Sequence, residues 1–195
     1  MLLHGWGGPI GMAYAVRAPD TVRHVLLANS WAMPLPHATN IRFPFWLRLA
    51  LSGGLGSKVD SVLKVSITAG VESAVSPLPG LVVEGYKYPY QHGEPSHEVR
   101  SFWERLRRPD EPTVKFLADV AEGLPRIGAV CEIVWGRQDR LLRNLTAYLL
   151  RDRLRAAADV TFLEEAGHNV VEDAPEALLA KLLGGPVVVP EGPRQ

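Results

Sequence analysis

The feature that most constrains this chain lies at its start. Leu2-Leu3-His4 has the apolar character of a strand end, Gly5-Trp6-Gly7-Gly8 reads as a tight turn, and Pro9 to Ala18 reads as a helix. Pro9 sits where a first-turn proline is tolerated. Pro19-Asp20 ends that helix, and Val22 to Ala28 is an apolar run with one basic interruption, which suits a strand buried on both faces. Strand, turn, helix and strand in this order form a βαβ unit of a mostly parallel sheet.

The same texture returns late in the chain. Ala129 to Trp135 reads as a strand, Gly136-Arg137-Gln138-Asp139 as a turn, Asn144 to Ala157 as an amphipathic helix and Val160 to Leu163 as a strand. The turn Ala166-Gly167-His168-Asn169 then leads to a helix over Ala174 to Leu183. The stretch between, Pro34 to Pro125, is rich in Pro, Gly and aromatics. It shows helical patches near Phe43–Ser52, Lys58–Ala69, His97–Arg107 and Thr113–Glu122, and no strand. Pro77 to Gly80 and Tyr86 to Tyr90 read as loops. The predicted fold class is α/β: core over 1–33 and 126–183, a helical cap insertion over 34–125, and a mobile tail over 184–195.

Composition narrows the function. Lys+Arg and Asp+Glu are 21 each, so the chain offers no broad positive field for nucleic acid or an anionic membrane. One cysteine, Cys131, excludes an internal disulfide and any multi-cysteine metal site, and its strand context predicts an inert thiol. No apolar run is long enough to span a bilayer, and no signal peptide is visible, so a cytoplasmic protein is expected. His92 and His97 lack nearby ligands of metal-site type, so no metal and no cofactor is expected. Arg105, Arg107 and Arg108 read as a solvated helix end, and Gly53 to Lys58 as a flexible turn rather than a phosphate loop.

Chemistry concentrates in the three turns. In open α/β sheets function sits outside the carboxyl ends of the strands. Asp139 follows one strand and His168 the next, the placement of an acid that holds an imidazole in the right tautomer. The order of nucleophile turn, acid and histidine matches that of the α/β-hydrolases.

His4-Gly5-Trp6-Gly7-Gly8-Pro9-Ile10-Gly11, with Val25 to Trp31, resembles the haloalkane dehalogenases of the α/β-hydrolase superfamily, whose nucleophile turn reads Asp-Trp-Gly-Gly-Pro-Ile-Gly. Trp135 to Asp139 and Gly167 to Pro175 are similar to that family's acid and base turns. The resemblance implies the C-terminal portion of an α/β-hydrolase sheet with a helical cap. It also implies hydrolysis of a carbon–halogen bond through an alkyl-enzyme ester, with a small apolar halogenated substrate, water as co-substrate and no cofactor. His168 would activate the water, Asp139 would orient His168, and Trp6 would aim its indole N–H at the leaving halide. A second halide donor would come from Trp31, Trp46 or Trp103.

Two departures accompany the resemblance. The nucleophile position holds Gly5, which has no side chain to form an ester, and His4 is expected to point to the opposite face of the strand. The family also carries several strands ahead of this turn, on the order of 100 residues. The chain as written is therefore expected to be inactive or impaired, and to self-associate through an exposed sheet edge. Epoxide hydrolases share the aspartate turn. Leu2 to Gly8 also resembles the oxyanion loop of esterases, although no Gly-x-Ser-x-Gly turn follows. A non-catalytic interaction module is the reading from a different class.

Overall fold

The computed structural model describes residues 1–35, 45–52, 58, 68, 71, 73–90, 96–155 and 157–184. The elements are β1 (Leu2–Gly5), α1 (Gly7–Arg17), β2 (His24–Ser30), α2 (Phe45–Ala50), α3 (Gly80–Lys87), α4 (Ser96–Arg107), α5 (Glu111–Gly123), β3 (Val130–Gly136), α6 (Leu145–Arg151), β4 (Ala157–Leu163), α7 (Val170–Asp173) and α8 (Pro175–Leu182). Lys58–Ala69, the glycine-rich turn before it, His92 and the tail lie wholly or mostly outside the described residues.

The four strands form one parallel sheet in the order β1-β2-β3-β4. Leu3 stands opposite Leu27, Leu27 opposite Ile133, and Ile133 opposite Val160. Alternation along the central strands divides the core into two layers. Val25, Leu27, Cys131, Ile133 and Trp135 face one side, packed with Met12 and Ala15 of α1, Leu117 and Val120 of α5, and Ala147 and Leu150 of α6. Leu26, Ala28, Val134 and Leu163 face the other, against Val170, Ala177 and Leu178. Both faces of β2 are therefore dry, as its continuous apolar run predicts.

Four expectations change. Helix α5 begins where the Asp110 carboxylate accepts the Thr113 amide at 3.0 Å, and its apolar stripe joins the main core beside α1. The last helix of the expected 34–125 insertion thus belongs to the layer that covers the sheet. The segment Tyr86–Tyr90 is not a loop: Pro79 opens α3, accepting the amides of Val82 and Val83, and a 3₁₀ turn follows over Tyr88–Tyr90. The helix predicted over Asn144–Ala157 stops at Arg151, because tight turns at Asp152, Arg153 and Leu154 bring Leu154 into the core. Beyond them β4 begins at Ala157, three residues before the expected start.

Candidate active site

The three turns singled out in the sequence meet at the carboxyl ends of β1, β3 and β4. Strand β1 ends at Gly5 with φ +53°, in the left-handed region that favours glycine. Trp6 follows in helical conformation and caps α1, and the Ser30 hydroxyl donates to the Gly5 carbonyl at 2.6 Å. A Cβ added to Gly5 would meet no atom within 4 Å beyond its two chain neighbours. The turn therefore displays its central residue into open space, as a turn presenting a reactive group must.

The register between β1 and β2 slips by one residue at this end, pairing Gly5 with Ser30. The extra residue is Asn29, which adopts φ +40°. The bulge aims its amide inward. Asn29 Nδ2 donates to Asp139 Oδ2 at 2.7 Å, and Asn29 Oδ1 accepts the Gly136 amide at 2.8 Å. Asn29 is thus a buried bridge between the end of β3 and Asp139.

The Asp139 carboxylate is fully buried and saturated. His168 Nδ1 donates to Oδ2 at 2.9 Å, and the amides of Leu141 and Leu142 donate to Oδ1 at 2.7 and 2.8 Å. Burial pushes this carboxyl up, but His168, Asn29 and the Leu142 amide outweigh it and hold the group below the ordinary carboxylate range. A proton committed to Nδ1 leaves the lone pair of His168 on Nε2, the tautomer of a general base.

His4 pairs with Ala28 ahead of the register slip, so it lies on the sheet face opposite Leu3. Its Nε2 donates to the His168 carbonyl at 2.8 Å, and the two rings lie 5.0 Å apart. Burial, and secondarily the nearby His168 imidazole, lower its pKa to about 4, so His4 is neutral near pH 7.

Trp6 leads away from the dyad to a cavity of about 250 Å³, whose lining includes Trp31, Pro34, Leu35, Leu106, Val114 and Leu117. The lining is apolar except for Arg105. Trp31 is 2% exposed and meets Trp6 edge to face at 4.9 Å, while Phe102 of α4 approaches Trp6 from the middle segment at 5.7 Å. Trp6 Nε1 is buried and has no acceptor among the described residues. Trp103 packs against the core, and the side chain of Trp46 lies outside the described residues. His168 and Asp139 do not line this cavity; Trp6 alone joins it to the turn. No group of three metal-ligating side chains gathers among the described residues, and no described helix is long and apolar enough to cross a membrane. The Cys131 thiol is buried, which raises its pKa to about 11.

A model of the alpha/beta hydrolase family matches residues 1–181. The chain belongs to that family. Among curated relatives it is 24% identical over 185 residues to the cis-3-alkyl-4-alkyloxetan-2-one decarboxylase of Shewanella oneidensis, covering 93% of this chain and 58% of the relative. It is 27% identical over 186 residues to haloalkane dehalogenase 2 of Mycobacterium tuberculosis, covering 91% and 60%. The chain thus spans about 60% of the length of the relatives it matches. The fold superposes on the haloalkane dehalogenase DbeA from Bradyrhizobium elkani with a TM-score of 0.80 at 19% identity, covering 94% of this chain and 65% of that one. A 2-hydroxy-6-oxo-6-phenylhexa-2,4-dienoate hydrolase from Rhodococcus superposes at 0.68 and 21% identity, covering 94% and 62%.

Two residues of the site carry little signal in the sequence. Asn29 needs the bulge to reach Asp139, and Phe102 reaches Trp6 from a helix distant in sequence. The asparagine in a strand-to-turn position was the one visible hint, since Asn tolerates positive φ.

Proposed function

We propose that this chain carries the acid, the base and the leaving-group side of a haloalkane-dehalogenase-type hydrolase, and that Gly5 denies it the covalent step. The observation that carries this reading is the saturated Asp139–His168 pair beside a turn whose central residue has open space and no side chain. A carboxylate at that position would attack the halogen-bearing carbon, expelling halide and forming an alkyl ester. Trp6 Nε1, a donor with no acceptor function of its own, suits the departing anion. His168 Nε2 would then take a proton from water as its oxygen attacks the ester, giving alcohol and the free carboxylate. Asp139 would stabilise the imidazolium formed in that step.

Without a carboxylate at position 5 only the second half of this cycle has its groups. The expected result is no halide release from short bromoalkanes by the chain as written. Gly5→Asp, in a chain that also carries the strands the family has ahead of this turn, is expected to release halide, because aspartate tolerates positive φ and a Cβ there has open space. Halide release from short bromoalkanes by the unaltered chain would contradict the reading.

A second substrate class is favoured by the Shewanella relative, whose name specifies an alkyl-substituted oxetanone. The apolar lining beside Trp6 accepts alkyl groups of either substrate. Carbon dioxide release from a cis-dialkyl oxetanone by Gly5→Asp, without halide release from bromoalkanes, would select that class.

A further inference from the structure

Helix α7 follows the base turn and carries Glu172 and Asp173, neither of which takes part in the chemistry above. Asp173 spans two parts of the chain. Its Oδ2 accepts the amide of Gly167, the residue before His168, at 2.7 Å. Its Oδ1 accepts the amide of Val75, from the middle segment, at 2.9 Å, with Oδ2 3.2 Å from the same nitrogen. One residue earlier, Glu172 Oε1 accepts the Tyr86 hydroxyl at 2.6 Å. Burial first, and then that carboxylate, push the Tyr86 phenol up to about 12, so it remains a donor across the ordinary pH range.

The packing leaves no slack at this seam. A Cβ added to Gly167 would stand 2.8 Å from the Ser73 carbonyl oxygen. His168 itself is held by Asp139, from the turn after β3, and by His4 of β1. Asp173 binds both the His168 turn and the middle segment, and the Asn169 side chain of that turn also meets Tyr86 of the middle segment.

We propose that Asp173 is a positioning residue that couples the seating of residues 73–87 to the alignment of His168. When the segment is seated, one carboxylate satisfies both amides and the turn is fixed. When it lifts, Val75 leaves Asp173, the carboxylate is free to follow it or to turn to water, and the Gly167 amide loses its fixed acceptor. The His168–Asp139 geometry then loosens with it. Two hydrogen bonds sharing one acceptor group are coupled in this way because neither amide can be released without changing the orientation that serves the other. The inference rests on reading His168 as the base, and its test needs no turnover, so a chain that releases no halide still answers it.

The test is amide hydrogen exchange on the chain, read by NMR with the low-field resonance of the His168 Nδ1 proton. The Val75 and Gly167 amides are expected to exchange through one opening, with the same dependence on low denaturant. Asp173→Asn keeps the shape but replaces one acceptor by a donor. It is expected to speed both amides by about tenfold or more and to broaden the Nδ1 proton resonance. Tyr86→Phe leaves Asp173 in place, removes the ties of Tyr86 to Glu172 and Asn169, and should speed both amides together by a smaller factor. If Tyr86→Phe speeds Val75 and leaves Gly167 unchanged, the coupling is refuted. An unchanged Nδ1 resonance in folded Asp173→Asn would equally refute it, reducing Asp173 to a staple.

Discussion

The two sides of the strand-end site differ in how completely their polar groups are satisfied. On the acid–base side, Asp139 accepts four hydrogen bonds, Asn29 uses both ends of its amide, and His168 is held through its ring and its carbonyl. On the side of the first turn, Gly5 presents no side chain into open space and Trp6 Nε1 is buried without an acceptor among the described residues. Buried polar groups without partners are costly, and they mark places where a ligand supplies what the protein does not. On the proposed function, the contrast means that the orienting half of the chemistry has its groups, while the bond-forming half lacks one.

Breaking the built side should have the largest effect. Asp139→Ala leaves the His168 Nδ1 proton, the Asn29 amide and two backbone amides without their acceptor. Removing one member of a buried pair costs about 3–5 kcal/mol, to be read from the midpoint of denaturant unfolding. A loss under about 1 kcal/mol would mean that water reaches these groups and the side is not closed.

Acid should act on the same side. His4 titrates at about 4 in the folded chain against 6.5 when free, so between these values the unfolded state binds the extra proton. Stability from His4 is full above about pH 6.5 and is lost as pH falls through that window to about 4. At about 1.4 kcal/mol per unit the loss is about 3 kcal/mol, with Asp139, also lowered, adding in the same direction as it protonates. His4→Gln keeps a donor for the His168 carbonyl and should flatten the stability–pH curve between these values.

Asn29→Ala sharpens the comparison from the bridging residue. It orphans the buried Gly136 amide and removes one donor from Asp139, at a cost of about 2 kcal/mol. On the open side, by contrast, Gly5→Ala should cost only about 1 kcal/mol, the penalty of a left-handed backbone for a residue with Cβ, since no atom obstructs it. A large loss at position 5, measured by the same unfolding curve, would erase the distinction between the two sides.

Much of this was legible in the sequence, for definite reasons. The run Val22–Ala28 is apolar on successive residues because β2 is covered on both faces, so the parallel sheet could be read directly. Asp139 and His168 could be placed because strand-end turns carry function in such sheets, and each stands in a short turn flanked by apolar strands. What escaped depends on geometry that no local pattern records. The reach of Asn29 follows from the bulge at the end of β2, and the bond from His4 to the His168 carbonyl joins residues 164 apart in the chain. Helix α3 has no buried residue, so no apolar stripe announces it. Helix α5 has a clear stripe, but the stripe does not say which layer it covers; that is settled by its packing against α1.

The most direct test of the central claim is intact-protein mass spectrometry after exposure to a short bromoalkane. Three forms are compared: the chain as written, Gly5→Asp, and Gly5→Asp with His168→Ala, the last two in a chain that also carries the strands the family has ahead of this turn. An intact base side facing an absent nucleophile predicts no adduct on the first and at most a transient one on the second. On the third it predicts a stable gain of one alkyl group at position 5, because the ester forms and nothing activates the water that would cleave it. An adduct that persists equally with and without His168, or a chain as written that consumes the bromoalkane at the rate of Gly5→Asp, would contradict the account.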